Sequence, residues 1–429
     1  MQTLFTPQQM EDPVIGEVDS ILRRCVHCGF CTATCPTYVL LGDELDSPRG
    51  RIYLIKDMLE NDRDPSPDVV KHVDRCLSCL SCTTTCPSGV DYMHLVDHAR
   101  ARIEQRYTRP LADRLLRSLL ALLIPRPGLF RLALLGAWFG KPFARILPGR
   151  LRAMLALAPK SVSGPSPMDQ PQIFVAEGER RMQVALMPGC AQQVLRPAIN
   201  EATIRLLTRH GCEVVIAQGG ACCGALEHHM GRLPGSLAAA KRNIAAWEQA
   251  GDLDGIVINA SGCGTTVKDY GHMLKDDPDW AYRAERVAGL AKDVSEVMAD
   301  LGVRISEDRA AEGHKGMIIA YHSACSMQHG QKITELPKKL LRDAGYDVRS
   351  PAEGHLCCGS AGTYNMTQPV LAEQLGRRKA GHLANTGAEA IATGNIGCLV
   401  QIGNYGDLPV VHTVELLDWA SGGPKPAEL

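Results

Sequence analysis

The chain has 429 residues, a formal net charge of −1 at pH 7 and an aromatic content of only 5%. This length accommodates two or three domains, and the near-neutral charge gives no general attraction to nucleic acid or to membranes. The scarcity of aromatic residues argues against a surface that stacks sugars or bases. Seventeen cysteines are unusual for this length, and all but one belong to two repeated patterns.

The first pattern is a four-cysteine run that occurs twice near the N-terminus. Both copies have the spacing C-x2-C-x2-C-x3-C-P, which is typical of bacterial two-cluster ferredoxins. Three closely spaced thiolates can hold one face of a cubane, and the cysteine before the proline usually binds the other cluster. The predicted [4Fe–4S] ligands are therefore Cys25, Cys28, Cys31 and Cys86 for the first cluster and Cys76, Cys79, Cys82 and Cys35 for the second.

Structural zinc and disulfide bonds are the competing interpretations of these runs. A zinc site usually takes four ligands as two separated pairs, which fits four cysteines within eleven residues poorly. The start of the chain lacks the basic residues and apolar run of a secretory signal, and thiol-rich cytosolic chains favour metal or redox roles. Two clusters are thus the favoured interpretation.

The segment between the two runs predicts a helical domain. Forty residues separate Cys35 from Cys76, far more than in a compact bacterial ferredoxin, and residues 52–59 have a helical pattern. Asp46-Ser-Pro-Arg-Gly-Arg51 is a helix start, with proline and glycine near its beginning. We expect an α-helical ferredoxin domain over residues 1–108.

A basic and apolar connector is predicted over residues 109–180. Between Arg109 and Lys160 it holds ten Lys or Arg residues and a single acid, Asp113. Six leucines are predicted on one helical face, with Arg114 and Arg117 off it. The six leucines are Leu111, Leu115, Leu116, Leu119, Leu120 and Leu123. Four prolines, Pro125, Pro127, Pro142 and Pro148, are predicted to divide the region into short helices.

The connector leaves two interpretations open. No apolar run reaches the length that spans a bilayer, but a basic amphipathic segment can lie in the membrane interface or dock on a partner subunit. Alternatively, the leucines pack under the chain's own domains and the arginines form a solvated face. Residues 161–172, rich in serine and proline, are predicted to be a linker.

The second cysteine pattern repeats after 135 residues, with identical internal spacing. Both vicinal cysteine pairs are followed by glycine, and both final cysteines are preceded by glycine, which indicates a duplicated unit. The remaining cysteine, Cys212, is expected to be a small buried residue. The repeated set is Cys190, Cys222, Cys223 and Cys263 in the first copy and Cys325, Cys357, Cys358 and Cys398 in the second.

Each copy alternates short apolar runs with helical stretches, which predicts parallel βαβ units. The fold class is therefore α+β overall, with a helical two-cluster domain followed by α/β Cys-Cys-Gly repeats over residues 181–312 and 313–429. The predicted strands are 182–187, 213–217, 255–259, 317–321, 346–348 and 388–392, and the predicted helices are 198–210, 236–250, 335–344 and 370–384.

The cysteines of each copy follow the strands, at the end where α/β folds place their sites. Four thiols per copy could hold a metal or a further cluster, or form a redox-active pair. The alternative is that small residues merely pack well there. Nearby histidines, His322, His355, His228 and His229, could bind or carry protons, but each is expected to be solvated or hydrogen-bonded.

Several stretches match a known family. They are Cys25-Val-His-Cys-Gly-Phe-Cys-Thr-Ala-Thr-Cys-Pro-Thr-Tyr38, Leu41-Gly-Asp-Glu-Leu45, Ser47-Pro-Arg-Gly-Arg-Ile-Tyr-Leu-Ile55, Thr393-Gly-Asn-Ile-Gly-Cys398 and the two Cys-Cys-Gly repeats. In these stretches, and over nearly its whole length, the chain resembles the iron–sulfur subunits of bacterial glycolate oxidase. The wider family includes subunits of anaerobic glycerol-3-phosphate dehydrogenase, of lactate-utilisation systems and of heterodisulfide reductase.

The resemblance implies an electron-transfer subunit with no catalytic residues for the substrate. An FAD-linked oxidase subunit, assisted by a related second subunit, would oxidise glycolate to glyoxylate. This chain would pass the electrons to a quinone, as a cytoplasmic protein at the periphery of the inner membrane. The absence of G-x-G-x-x-G after a predicted strand agrees with a non-NAD acceptor. A related lactate or glycerol-3-phosphate dehydrogenase is the alternative.

One departure concerns the heterodisulfide reductase type, in which the Cys-Cys-Gly domain ends in C-x2-C and helps to hold a non-cubane cluster. Here Cys263 is followed by Gly-Thr-Thr and Cys398 by Leu-Val-Gln, so the last cysteine is missing in both copies. The non-cubane cluster and thiol–disulfide chemistry are therefore less favoured than two cubanes and electron transfer.

Overall fold

The N-terminal part of the chain is a helical domain with its own core. The computed structural model describes residues 1–146, 149–159, 161–303 and 313–429. Val18, Leu22, Ile55 and Leu95 are fully buried in the N-terminal core, beside cysteines of both ferredoxin runs. The helices are α1 (Pro13–Arg24), α2 (Pro36–Leu41), α3 (Pro48–Glu60), α4 (Pro67–Asp74), α5 (Ser81–Thr85) and α6 (Tyr92–Arg106), with 3₁₀ turns at Gln9–Glu11 and Glu44–Asp46.

Local sequence signals explain where three of these helices begin. Asp12, Ser47 and Ser66 each accept a hydrogen bond from a backbone N–H of the following helix, and a proline occupies the first helical position each time. This combination satisfies an otherwise unpaired donor and presets the helical backbone. The helix predicted over residues 52–59 is confirmed as part of α3.

The connector forms three short helices, as its prolines predict. They are α7 (Leu111–Leu123), α8 (Pro127–Gly140) and α9 (Gly149–Leu157), with a 3₁₀ turn at Lys141–Ile146. Pro148 and Lys160 lie outside the described residues. None of the helices in the described ranges is both long and apolar enough to cross a bilayer.

The prediction for the faces of α7 is partly wrong. Leu111, Leu115 and Leu119 are exposed, whereas Arg117 is buried and donates a hydrogen bond to the Met230 carbonyl. The reason is that α7 has apolar residues on two sides. One side packs inward together with the stem of Arg117, and the other meets solvent.

The first α/β unit is built on a five-stranded sheet in the order β1-β3-β2-β4-β5. Three pairings are parallel, and the fourth, between β1 and β3, is antiparallel. Strand β1 lies in the region that was predicted to be connector. The strands are β1 (Gln172–Phe174), β2 (Met182–Met187), β3 (Cys212–Ile216), β4 (Gly255–Ile258) and β5 (Ala291–Asp293). The helices are α10 (Gln192–Leu195), α11 (Ala198–Arg209), α12 (Ala225–His229), α13 (Leu233–Gln249), α14 (Ser261–Lys268), α15 (Tyr270–Met273), α16 (Ala281–Leu290) and α17 (Val294–Leu301).

The second unit repeats this plan with four parallel strands in the order β7-β6-β8-β9. A π-helical turn covers Ser326–Gly330. The strands are β6 (Ile318–His322), β7 (Asp347–Arg349), β8 (Ala390–Thr393) and β9 (Val410–His412). The helices are α18 (Leu336–Asp343), α19 (Tyr364–Thr367), α20 (Pro369–Ala384), α21 (Ile396–Gly403) and α22 (Thr413–Ala420).

The predicted fold class is confirmed, and all six predicted strands are present with small shifts at their ends. The short strands β1, β5 and β9 were not predicted, because three residues carry too little periodic pattern. The end of the first predicted repeat, residues 304–312, lies outside the described residues. The domain boundaries therefore stay predictions.

The two α/β units share one hydrophobic core. It runs from Leu186 and Val257 of the first sheet to Ile319 and Ile391 of the second. Helix α11 packs against α22, and α17 packs against α18, so helices of one unit cover helices of the other. This packing turns the carboxyl ends of both sheets, and hence both cysteine sets, toward a common space.

Candidate redox and metal sites

The two ferredoxin runs adopt the same unusual backbone conformation. His27 and Gly29 flank the second cysteine of the first run with positive φ angles of 55° and 84°, and Ser78 and Leu80 flank that of the second with 50° and 61°. Residues other than glycine rarely adopt this conformation, which clusters at functional sites. The repeated strain indicates two loops shaped for the same purpose.

The first group of thiols surrounds a small cavity near the surface. Cys25, Cys28, Cys31 and Cys86 all line this cavity, as does Cys82, so the last two cysteines of the second run lie beside the three leading cysteines of the first. Cys28 is exposed, whereas Cys25 is buried. Burial, reinforced by the neighbouring Cys25 thiol, raises the pKa of Cys31 to about 11.

The second group lies deeper in the molecule. Cys76, Cys79, Cys82 and Cys35 are all buried. Burial raises the pKa of Cys79 well above its usual value, and the nearby thiols of Cys325, Cys35 and Cys76 raise it further. Cys35 of the first run is thus close to the second run. This proximity is compatible with an exchange of fourth cysteines, and the ligand sets themselves stay a prediction.

Polar side chains that the sequence did not single out contact the second group. Arg51, which is fully buried, directs its Nη1 atom to the Cys35 sulfur at 3.8 Å, and the Tyr92 hydroxyl lies 3.7 Å from the Cys76 sulfur. Burial acts to lower the pKa of Arg51, but Tyr92 and the thiols of Cys76 and Cys35 outweigh it, so the guanidinium stays charged. A buried cation beside four thiols fits an anionic iron–sulfur site.

In the first α/β unit the four repeated cysteines converge as predicted. Cys190 follows β2, the pair Cys222 and Cys223 follows β3, and Cys263 lies in the first turn of α14. Contacts with Cys190 and then with Cys223 lower the pKa of the Cys222 thiol well below its usual value. One thiol of this site is therefore primed to be a thiolate, the form that binds metals.

The second unit brings its four cysteines together in the same way. The sulfur atoms of Cys325 and Cys357 are 3.7 Å apart, and Cys358 contacts both Cys357 and Cys398. The contact with Cys357 and burial both raise the pKa of Cys325. The set thus forms a chain of touching thiols.

The glycine after each cysteine pair is required by its backbone. Gly224 and Gly359 have φ angles of +87° and +89°. A Cβ atom at Gly224 would lie 2.9 Å from the Ser236 carbonyl oxygen, and one at Gly359 would lie 2.7 Å from that of Ala372. Both the conformation and the close approach exclude a side chain.

The expectation for the nearby histidines holds in part for one residue and is wrong for another. The Nε2 atom of His228 pairs with Asp97 at 3.2 Å, but its buried Nδ1 atom has no hydrogen-bond partner among the described residues. His322 is fully buried at the end of β6, and neither of its ring nitrogens has a hydrogen-bond partner in the part of the chain that the structure describes. One of its nitrogens and the sulfur atoms of Cys358 and Cys398 all lie within 4.8 Å of one another.

Both cysteine sets face one apolar cavity of about 450 Å³. All eight repeated cysteines line it, and the connector helices cover it from the other side. The sequence did not predict this role, because the contact joins segments far apart in the chain. The connector residues in its wall include Leu120, Leu123, Ile124, Phe130, Leu134, Leu151, Met154 and Leu155.

The second ferredoxin run meets the second cysteine set directly. Leu77 and Cys79 pack in one buried cluster with Cys357 and Tyr364, and Cys325 packs against this cluster. Leu77 also lines the large cavity. The deep thiol group of the N-terminal domain is thus separated from solvent by the second α/β unit.

Comparisons with known proteins agree with this architecture. Residues 21–90 match the family model of the 4Fe-4S dicluster domain, and residues 184–268 and 319–403 match that of the cysteine-rich domain. A hypothetical protein from Helicobacter pylori of known crystal structure shares the fold, with a TM-score of 0.54 and 10% identity over 99% of this chain and 74% of that one.

Two relatives match nearly the whole chain. The glycolate oxidase iron–sulfur subunit of Escherichia coli is 42% identical over 98% of this chain and 99% of its own length. The probable glycolate oxidase iron–sulfur subunit of Bacillus subtilis is 34% identical over 94% of each chain. This protein belongs to the family of glycolate oxidase iron–sulfur subunits.

Proposed function

We propose that this chain is the electron-transfer subunit of a glycolate oxidase complex. It accepts electrons from an FAD-linked subunit that oxidises glycolate to glyoxylate, with a related second subunit, and delivers them to a membrane quinone rather than to NAD. Its place in the family supports this proposal. The observation that carries it is a line of thiols that leads from exposed Cys28 to the large apolar cavity.

The proposed ligand sets follow the two thiol groups. Cys25, Cys28, Cys31 and Cys86 would hold one [4Fe–4S] cluster, and Cys76, Cys79, Cys82 and Cys35 would hold the other. When bound, such clusters supply one-electron transfer. The chain's own residues exclude water from the second group and place Arg51 beside it, which stabilises negative charge there.

The surface around Cys28 supports docking of the flavin subunit. Val26, Phe30 and Tyr53 are between 60% and 67% exposed. The ring of Tyr53, on α3, lies edge-on to the ring of His27, which is in the same cysteine loop as Val26 and Phe30. An exposed apolar surface next to a redox site marks a place for a partner. Electrons from a flavin would enter on this side.

The connector supports a lipophilic acceptor on the opposite side of the thiol line. Its helices present apolar side chains both to the large cavity and to solvent: Leu115 is 68% exposed, Phe139 70% and Ile146 82%. Basic residues, including exposed Arg114, accompany them. Such a segment suits the interface of an anionic membrane, from which a quinone could reach the cavity.

Co-purification with turnover tests this function. A tagged chain produced with its native partners should bring down an FAD-containing subunit, and the complex should reduce a quinone analogue when glycolate is added. Val26→Glu combined with Phe30→Glu should reduce recovery of the flavin subunit while both clusters stay bound. The matched control is Tyr282→Glu, another exposed apolar residue, at 81% exposure.

Activity with lactate or glycerol 3-phosphate alone would contradict the glycolate assignment and favour a related dehydrogenase. Reduction of a disulfide in place of a quinone would favour the thiol–disulfide alternative. A chain that contains only redox-silent metal would exclude electron transfer altogether.

A further inference from the structure

The two duplicated cysteine sites are not equivalent, because one of them has an additional nitrogen donor. The repeat of 135 residues places His322 of the second unit where the first has Met187. Both residues end the first strand of the cysteine-rich repeat, and both are fully buried. A methionine fills the equivalent position, so packing alone does not call for an imidazole there.

The strand next to His322 also has a polar residue where the first unit has an apolar one. His322 pairs in register with Thr393 of β8, whereas Met187 pairs with Ile258 of β4. The Thr393 hydroxyl, like both nitrogens of His322, is buried without a hydrogen-bond partner among the described residues. An unpaired buried polar group costs on the order of 1–3 kcal/mol, so two adjacent ones require a specific reason.

The second unit also has a buried lysine where the first unit has an apolar residue. Lys379 of α20 is only 2% exposed, and its ammonium donates to the Glu353 carbonyl and interacts with the thiols of Cys357 and Cys358. The equivalent residue of the first unit is Ile244, which is also buried. The second unit therefore supplies a positive charge that the first lacks at this position.

We propose that His322, Cys358 and Cys398, with one of Cys325 and Cys357, form a site for a single Zn²⁺ ion. Imidazole and thiolates are the ligands that zinc prefers, in tetrahedral geometry. Three thiolates and a neutral imidazole leave one net negative charge around Zn²⁺, which Lys379 balances. The first unit, with Met187, Ile258 and Ile244, does not have this nitrogen donor or this charge.

The separations of the donor atoms favour one ion over a cluster. Ligands bound tetrahedrally at the zinc–sulfur distance lie about 3.8 Å apart. Here the donor atoms of His322, Cys358 and Cys398 are all within 4.8 Å of one another, and Cys357, one of the two candidates for the fourth ligand, contacts Cys358. In a cubane, iron and sulfide atoms would separate the cysteine sulfurs further.

Other histidine-containing groups in the described ranges do not compete with this site. His94 and His272 beside Glu17, and His72 beside Asp46, also bring potential ligands together. In both groups the imidazoles already form hydrogen bonds with carboxylates. Zinc would have to displace these partners, whereas His322 has no such partner within the described ranges.

Zinc analysis of the purified full chain, with its clusters bound, tests the proposal. Mass spectrometry should find about one zinc per chain. X-ray absorption at the zinc edge should show sulfur at about 2.3 Å and one nitrogen at about 2.0–2.1 Å, whatever iron is present. His322→Met, which copies the first unit, should remove the nitrogen and weaken zinc binding at least tenfold in competition with a chelator.

Met187→Leu is the matched control and should leave the zinc content and the spectrum unchanged. The iron content of each variant reports whether the chain is folded. If His322→Met does not fold, the wild-type spectrum still decides the question. A chain without zinc, or a zinc shell of sulfur alone, would overturn the proposal, as would zinc binding that His322→Met leaves intact.

Discussion

At the scale of single residues, Arg51 connects the first ferredoxin run to the helical scaffold. Its guanidinium donates to the His72 carbonyl and to Thr37, forms an ion pair with buried Asp46 and points at the Cys35 sulfur. A charge buried this deeply must be fully hydrogen-bonded, and it then fixes the position of its neighbours. Arg51 therefore positions Cys35, the proposed fourth ligand of the second cluster.

Replacing single cysteines should separate the two kinds of site. Cys79→Ser removes a thiol from the deep ferredoxin group and should halve the iron bound by two cubanes. Cys190→Ser removes a thiol from the first α/β unit and should leave both cubanes intact. Iron analysis with potentiometric EPR of the anaerobically purified chain measures both outcomes.

The control for that experiment is Cys212→Ser, because Cys212 is buried in β3 and belongs to neither repeated pattern. Loss of a cubane signal in Cys190→Ser, with Cys212→Ser normal, would contradict the proposed ligand sets. Two unchanged signals in Cys79→Ser would contradict them as well.

At the scale of secondary-structure elements, the connector helices have apolar residues on two faces. Leu120 of α7 and Ile124 directly after it are buried toward the cavity, whereas Leu111 and Leu115 of the same helix are exposed. Only the first face is explained by packing within the chain. The second leaves an apolar and basic surface of the kind that lies in a membrane interface.

The exposed face should bind anionic vesicles. The chain should float with phosphatidylglycerol-containing vesicles at low salt and less at high salt, because salt screens the attraction of the basic residues. Leu115→Glu together with Leu132→Glu should reduce flotation several-fold at both salt concentrations, since apolar burial is lost and negative charge is added. Sedimentation or flotation assays provide the measurement.

Val370→Glu is a suitable control, because Val370 is equally exposed, at 68%, but lies on α20. Equal flotation of the connector variant and this control would show that the connector is not the membrane-binding surface. Failure of the wild-type chain to float at any salt concentration would leave docking of a partner subunit as the role of this face.

Some secondary-structure elements could be predicted from the sequence alone, whereas the surfaces that they cover could not. The strands β2, β3 and β4 and the cysteine loops after them were predicted, because apolar runs and exact repeats are local signals. The wall that α7–α9 form over both cysteine sets was not, because amphipathic helices do not reveal which surface they cover. The role of His322 became visible only when its burial and the positions of Cys358 and Cys398 were known.

At the scale of the whole molecule, a polar junction joins the N-terminal domain to the first α/β unit. His94 of α6 contacts Asp91 at 2.6 Å and Asp269 at 3.0 Å, and its ring stacks on that of His272. Burial acts to lower the pKa of His94, but Asp269 and Asp91 outweigh it and raise the pKa to about 10. The junction therefore depends on a protonated imidazole.

This raised pKa predicts a loss of stability at alkaline pH. Because the folded pKa of His94 exceeds the unfolded value of about 6.5, its stabilisation is complete below pH 6.5 and is lost as the pH rises toward 10. Between pH 6.5 and 10 the wild type should lose on the order of 2 kcal/mol more stability than His94→Gln. Unfolding of the two chains, followed anaerobically across this range, measures the difference.

His382→Gln serves as the comparison, because His382 pairs with Glu353 in the second unit, far from the junction in sequence. It should keep the pH dependence of the wild type. If His94→Gln and the wild type lose stability in parallel, the protonated His94 does not hold the junction together.

The core shared by the two α/β units makes the duplication a single cooperative structure. Val297 and Leu301 of α17 belong to this core together with Leu416 and Trp419 of α22. Helix α17 packs against α18 of the second unit, and α22 packs against α11 of the first. Either unit folding alone would therefore expose to water the apolar surface that it now buries against the other unit. Any ancestral single copy would have needed a second molecule of itself to cover that surface, so a fusion of the two genes would have joined units that already paired.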